Sequence, residues 1–274
     1  MRRELAEADY EAALDFAGLT KSALWPALAG IPLGRLYDAD GRELARLFYN
    51  RKVKLTSTCR HVVERNLALA RALDARETPG RVAFQVADEV KGSVDGWWEA
   101  LGLSGRRVVV VSAGAGWESK RWPPESFGRL ARLLSERLQM VPLVVWGPGE
   151  EELAEAVVAA SEGVGRRAPA TSIPAMLETL SRACLLVGGD TGPTHLAAYL
   201  GVPTIAPYGA SDPIRNGPWG AASLVLTRDL PCRPCWKTVC PLVHRKCLNE
   251  LSPEAEIDAM IGWWERLDET RQRH

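Results

Sequence analysis

The sequence predicts an α/β protein built on a parallel, doubly wound sheet, and three observations predict it. From Arg106 onward, short apolar runs at 108–111, 141–146, 184–187 and 203–208 alternate with helical stretches at 124–138, 150–160, 173–181 and 193–200. Such alternation calls for right-handed crossovers between parallel strands. The first three runs end in glycine-rich turns: Ser112-Ala113-Gly114-Ala115-Gly116, Gly147-Pro148-Gly149 and Gly188-Gly189-Asp190. Finally, residues 124–138 have the amphipathic pattern of a helix laid against a sheet.

Bulk properties exclude several classes. A chain of 274 residues, 46% of them hydrophobic, buries a substantial core and suits two modest domains or one large one. Its 34 basic and 34 acidic residues cancel, so no whole-molecule attraction to nucleic acid is expected. No apolar run reaches 18 residues, and the opening Met1-Arg2-Arg3-Glu4-Leu5-Ala6-Glu7 has no signal-peptide core. A reducing cytoplasm is the expected setting. The ten tryptophans carry no functional reading of their own.

Residues 4–17 read as a helix running into a short strand near 12–16, which resembles the middle of an α/β unit rather than its start. The turn at Gly18 leads into an apolar helix with Lys21 and Ser22 in its first turn, where an anionic group is met most readily. Residues 41–52, which include Arg42, Arg51 and Lys52, are basic with interleaved aromatics and suit a phosphorylated or acidic small molecule. A helix at 61–73 closes the N-terminal region. Residues 74–105, with turns at Pro79-Gly80 and Gly92-Ser93, read as the domain boundary.

In doubly wound sheets ligands sit beyond the carboxyl ends of the strands, so the loops at 112–120, 147–150 and 189–195 are expected on one edge. Lys120 places a cation at the mouth of the first loop, and Glu150 is placed to accept from ribose hydroxyls. In the third, Asp190-Thr191-Gly192 opens a helix whose unpaired N–H groups and dipole favour an anion, with hydroxyls at Thr191 and Thr194 and a donor at His195. An ordinary capped turn uses the same residue types. Gly114-Ala115-Gly116 lacks the third glycine of a nicotinamide-dinucleotide fingerprint, and no Gly-Lys-Ser/Thr phosphate loop occurs. The polar loop at 209–220 falls on the same edge.

Cys232, Cys235, Cys240 and Cys247 cluster with His244 among them, a spacing that suggests structural zinc ahead of a disulfide framework. The amphipathic tail at 253–267, with Trp263 and Trp264, is expected to pack back on the body.

With these residues in view, nearly the whole chain resembles glycosyltransferase family 9, the ADP-heptose:lipopolysaccharide heptosyltransferases. The resemblance rests on Gly189-Asp190-Thr191-Gly192-x-x-His195-Leu196, Lys120-x-Trp122-Pro123, Tyr208-Gly209-x-x-Asp212-Pro213, and Leu47-Phe48-Tyr49-Asn50-Arg51-Lys52 followed by Val63-Glu64-Arg65. The Cys-x-Pro-Cys cluster also looks like one found in members. The resemblance implies a GT-B architecture of two Rossmann-like domains, here an incomplete acceptor-side domain over 1–100, a nucleotide-sugar-binding domain over 101–252 and a terminal helix over 253–274. It places donor contacts on Lys120 (phosphates), Glu150 (ribose) and Asp190, Thr191, Gly192 and His195 (diphosphate and heptose). Lys21, Arg42, Arg51 and Lys52 match the basic acceptor face. Where members often carry Thr or Ser, this chain has Ala115 and Gly116, which leaves backbone donors.

The implied reaction is inverting transfer of heptose from ADP-heptose to a lipid A–Kdo acceptor in the lipopolysaccharide inner core, with no required cofactor. The implied setting is the cytoplasm, at the inner face of the inner membrane where that acceptor is met. One departure stands out. The family's strand and Gly-Asp turn, whose aspartate is its proposed base, has no counterpart before Asp15, so the chain is expected to enter the domain part-way and its catalytic residue is unassigned. The alternative is a truncated, non-catalytic nucleotide-sugar-binding protein or partner subunit.

Overall fold

The computed structural model describes residues 2–37, 43–76, 83–220 and 222–272, which form two compact units over 1–80 and 81–274. In the first unit, α1 (Arg2–Glu7) precedes β1 (Ala13–Leu14), α2 (Thr20–Leu28), β2 (Leu33–Tyr37), β3 (Arg51–Lys54) and α3 (Val62–Arg71). The strands form a parallel three-stranded sheet in the order β1-β2-β3. His61 caps α3: its Nδ1 accepts from Val63 N at 3.2 Å, and Glu64 accepts from His61 N at 3.0 Å. This reciprocal pair satisfies two first-turn donors and fixes where the helix starts.

The second unit runs α4 (Asp88–Ala100), β4 (Val108–Ser112), α5 (Pro124–Leu138), β5 (Val141–Val145), α6 (Glu151–Ala160), β6 (Arg166–Arg167), α7 (Ile173–Ser181) and β7 (Leu185–Gly188). It continues with α8 (Gly192–Leu200), β8 (Thr204–Pro207), α9 (Pro213–Asn216), β9 (Ser223–Leu226), α10 (Lys246–Asn249) and α11 (Pro253–Gln272). Its six strands are all parallel, in the order β6-β5-β4-β7-β8-β9. The doubly wound α/β class is therefore the one the sequence predicts.

Alternation along β4 shows how the sheet is buried on both faces. Val109 and Val111 pack into one core with Phe127, Leu130 and Leu134 of α5, while Val108 and Val110 face another with Val94 and Trp98 of α4. A β-branched run with no polar face is what a central parallel strand requires. The α5 residues lie at helical spacing, and proline at the first position starts the helix. At Gly128 an added Cβ would stand 2.4 Å from Ala160 Cβ, so only glycine lets α5 and α6 approach this closely. The terminal helix α11 packs back as expected, burying Ile257, Met260 and Trp264 in the α5-side core.

The division after residue 80 falls inside the stretch 74–105 read as the boundary, ahead of the domain line drawn at 100/101. Helix α4 lies in the stretch read as a boundary, but Val94 and Trp98, one turn apart, are buried in the second unit's core. Tertiary burial outweighs Gly92 and Gly96 in that helix.

Candidate functional site

The strand order fixes where a ligand is met. From β4 the chain winds through β5 and β6 to one side and returns through β7, β8 and β9 to the other, so the switch point lies between β4 and β7. Loops leaving the carboxyl ends of those two strands flank the crevice found at such points. The first carries Lys120 and the second carries Asp190.

Both loops are locked from beneath. Trp122 is fully buried, donates from Nε1 to Leu251 O at 3.1 Å and stacks edge-on against Phe127, which fixes the short helical turn Glu118–Lys120. An added Cβ on Gly189 would stand 3.3 Å from Lys120 O, which shows how close the two loops run. Lys120 Nζ then lies 2.7 Å from Asp190 Oδ2 and 4.2 Å from the centre of the Trp117 ring. His195 Nε2, on the first turns of α8, lies 3.3 Å from Asp190 Oδ1. One carboxylate thus holds the Lys120 ammonium of one loop and the His195 ring of the helix that follows the other.

The Asp190 side chain is only 6% exposed. Burial by itself pushes its carboxyl up, but His195, Lys120 and Ser211 favour the charged form more strongly and bring it down to about 2. Asp190 is therefore a carboxylate at neutral pH, aimed at its two partners.

Thr191 is the N-cap of α8, yet its side chain makes no capping hydrogen bond among the described residues. The first N–H groups of the helix are left for another acceptor. Gly192 is exposed, and an added Cβ there would meet nothing within 4 Å. Thr194 differs from what the sequence suggests. It is fully buried, 2.6 Å from where a Cβ on Gly188 would stand, so its hydroxyl points under the strand and away from the helix mouth.

Glu150 follows β5 and accepts from Gly147 N at 3.0 Å. Its carboxylate lies where a Gly114 side chain would be: an added Cβ would stand 2.1 Å from Glu150 Oε1. Beside these groups is a cavity of about 670 Å³ whose lining includes Ser112, Trp146, Glu150, Thr191, Gly192 and His195. Met176, Leu196, Tyr199 and Phe84 make much of the wall apolar. A chamber of this size with a few convergent polar groups suits a small organic ligand.

Other predicted groups have different places. In the Tyr208–Pro213 motif, Asp212 caps α9 by accepting from Ile214 N at 2.9 Å, and buried Tyr208 donates to Asn216 O at 2.7 Å. That motif shapes its own loop. In the first unit, Lys21 on α2 and Arg51 at the start of β3 are exposed. The backbone of Lys52 belongs to β3, and Arg42 lies outside the described residues. Cys232, Cys235, Cys240 and Cys247 are free thiols that line, with His244, one small cavity of about 30 Å³. Among the described residues no group of three or more His, Cys, Asp or Glu is set to hold a metal ion. No helix of the described residues is long and apolar enough to cross a membrane.

Sequence reasoning missed Trp117 and Ser211. Trp117 gives no signal beyond its nearness to Lys120, and buried Ser211, whose Oγ has no hydrogen-bond partner among the described residues, is brought to the Asp190 side only by the fold.

Two parallel α/β units, the second with its polar groups gathered at a switch point, define a GT-B class of glycosyltransferase fold. Residues 1–245 match the sequence model of glycosyltransferase family 9 (heptosyltransferase), and the chain belongs to that family. It is 32% identical over 242 residues to lipopolysaccharide heptosyltransferase 1 of Pseudomonas aeruginosa, covering 87% of this chain and 65% of that protein. Against lipooligosaccharide heptosyltransferase 2 of Campylobacter jejuni it is 29% identical over 163 residues, 57% of this chain and 50% of that one. The chain thus spans less than two thirds of the length of either relative. Among solved structures, Escherichia coli heptosyltransferase WaaC with ADP superposes with a TM-score of 0.64 at 25% identity, over 96% of this chain and 77% of that one. Escherichia coli ADP-heptose heptosyltransferase II shares the fold with a TM-score of 0.71 at 22% identity, over 97% and 80% of the two chains.

Proposed function

We propose that this chain moves heptose from ADP-heptose to the lipopolysaccharide inner core, with inversion at the anomeric carbon. The relatives are named lipopolysaccharide and lipooligosaccharide heptosyltransferases, and WaaC was solved with ADP and with a fluorinated ADP-heptose. The observation that carries the reading is the convergence of Lys120 and His195 on Asp190 at the mouth of α8.

In this reading the nucleoside occupies the 670 Å³ cavity, its ribose hydroxyls donating to Glu150. The diphosphate lies at the start of α8, facing Lys120 and His195. When the acceptor oxygen bonds to the anomeric carbon, the bond to the phosphate oxygen breaks and that oxygen gains charge. Lys120, an N–H of the His195 ring and the first N–H groups of α8 stabilise the charge. Asp190 acts through the other two, as a positioning residue. Lys21, Arg42, Arg51 and Lys52 supply positive charge for the acceptor's anionic groups. The group that takes the acceptor proton is unassigned.

Calorimetry with ADP-heptose tests the donor site. Replacing Lys120 or His195 by Ala weakens binding by about 1–3 kcal/mol, and unchanged affinity in both variants would remove them from the site. Turnover with a lipid A–Kdo acceptor tests transfer itself. A second reading, binding without turnover, is supported by Asp15: this carboxylate after β1 accepts from Ala17 N, Gly18 N, Ser22 and Tyr49, so its oxygens are engaged within the first unit. Tight donor binding with no transfer selects that reading.

A further inference from the structure

The stretch 227–245 joins β9 to α10 without helix or strand and has a second feature besides its thiols. Val239, Leu242 and Val243 are 59%, 55% and 87% exposed. Among the described residues of the second unit, no other stretch of five residues shows three exposed large apolar side chains.

This exposure does not come from a loose loop. Trp236 N donates to Ala210 O at 3.0 Å, Ser119 N donates to Thr238 O at 3.1 Å, and Arg233 donates to Gly209 O and Arg228 O, each at 2.7 Å. Arg245 reaches Glu118 at 3.4 Å, and Arg215 lies over the Trp236 ring. The base of the loop is bound to the body while its tip is held out. At that tip Val243 has φ 61°, a left-handed conformation that a β-branched side chain disfavours. Strain of this kind persists where the surroundings over-determine it and clusters at functional positions.

The charge around the tip is one-sided. Residues 228–246 contain five basic residues (Arg228, Arg233, Lys237, Arg245 and Lys246) and one acidic residue, Asp229, in a chain whose 34 basic and 34 acidic residues cancel as a whole. Glu118 and Glu250 face Arg245, Lys246 and Arg228 from neighbouring elements and offset part of this. Arg233, bound to carbonyls, and exposed Lys237 keep the face positive.

We propose that this loop docks the protein on an anionic lipid surface, its three aliphatic side chains entering the headgroup boundary and its basic residues facing the headgroups. Three aliphatic side chains are far short of the roughly 800 Å² that each partner contributes to a stable protein interface. They suit a bilayer, where shallow apolar insertion and attraction of Lys and Arg to anionic lipid add together. The inference does not depend on which sugar or nucleotide the cavity takes.

The test is co-sedimentation of the full chain with vesicles of phosphatidylcholine alone or mixed with phosphatidylglycerol. Binding is expected to the mixed vesicles, weakening as salt rises. V243D is expected to lower the partition about tenfold. V243G separates docking from folding, because it removes the apolar tip and relieves the backbone: it is expected to bind about fivefold more weakly yet melt no lower than the parent. Failure to bind the mixed vesicles, or equal partition of parent, V243D and V243G, overturns the proposal. So does a concentration-dependent dimer in lipid-free buffer that V243D dissolves. Calorimetry with ADP on the same variants, whose altered residue lies outside the cavity, reports the donor site separately.

Discussion

Lys120 Nζ and Asp190 Oδ2 stand 2.7 Å apart across the switch point between β4 and β7, each delivered by a different crossover loop. The pair does two things at once. It ties the loops together, and it fixes an ammonium beside the open start of α8, where an anion is favoured. The Asp190 carboxyl, down to about 2 from an ordinary 3.8, records how strongly the folded state prefers the charged form. A lowered carboxyl stabilises the fold at every pH above its unfolded value and loses that contribution as pH falls through the folded one. The parent is therefore expected to lose about 1–2 kcal/mol from this group between pH 4 and pH 2. D190N lacks the titration, so urea unfolding at pH 5 and pH 3 is expected to show a stability gap between parent and variant that narrows at the lower pH. A constant gap would detach the acid limb from Asp190.

Gly114 and Glu150 make a second coupled pair. A Cβ on Gly114 would stand 2.1 Å from Glu150 Oε1, so G114A must expel the Glu150 carboxylate and break its bond from Gly147 N. Gly114 has no left-handed backbone to lose, so the whole effect runs through Glu150. G114A is expected to weaken ADP binding about tenfold by loss of one charge-assisted contact. E150A is expected to do the same, and the double variant G114A/E150A no worse than either alone. Additive losses on calorimetry would show that the two residues act independently.

How much of this was legible depends on whether the signal is local. Helix α5 can be read from Pro124 and the spacing of Phe127, Leu130 and Leu134, because a first-turn proline and a helical stripe both act within the segment. The meeting of Lys120 with His195 is legible one step further out, since parallel crossovers send strand-end loops to one edge. Helix α4 is not, because Gly92 and Gly96 weaken it locally and only burial of Val94 and Trp98 restores it. The inward aim of Asp190 and the downward turn of Thr194 also depend on neighbours far along the chain. No pattern in the sequence states which way a short polar side chain faces.

Asp15 is expected to be structural. Its carboxylate accepts from Ala17 N at 2.9 Å, Gly18 N at 3.0 Å and Ser22 Oγ at 2.8 Å, and from the Tyr49 hydroxyl. These bonds join the turn after β1 to the start of α2 and to Tyr49, two residues before β3. D15A leaves several donors without an acceptor and is expected to cost about 2–4 kcal/mol on thermal unfolding. ADP affinity, read on the folded fraction, is expected to stay at the parent value. Loss of turnover with unchanged stability would instead make Asp15 a chemical group.

The two threonines flanking the start of α8 separate a hydroxyl that serves the fold from one that serves a ligand. Thr194 is fully buried, and its Oγ1 has no hydrogen-bond partner among the described residues. An unsatisfied buried hydroxyl costs free energy that an apolar group of the same shape avoids. T194V keeps the β-branched shape, so it is expected to be neutral or to stabilise by up to about 1 kcal/mol. Thr191 lines the cavity and makes no capping bond with its side chain. Its replacement by valine is expected to leave stability within about 0.5 kcal/mol, yet to weaken ADP-heptose binding several-fold through loss of one hydrogen bond to the ligand. Melting curves and donor titrations on the two variants check this directly. A destabilised T194V would mean that its hydroxyl is bonded after all, and a T191V with parental affinity would mean that the ligand does not reach the N-cap of α8.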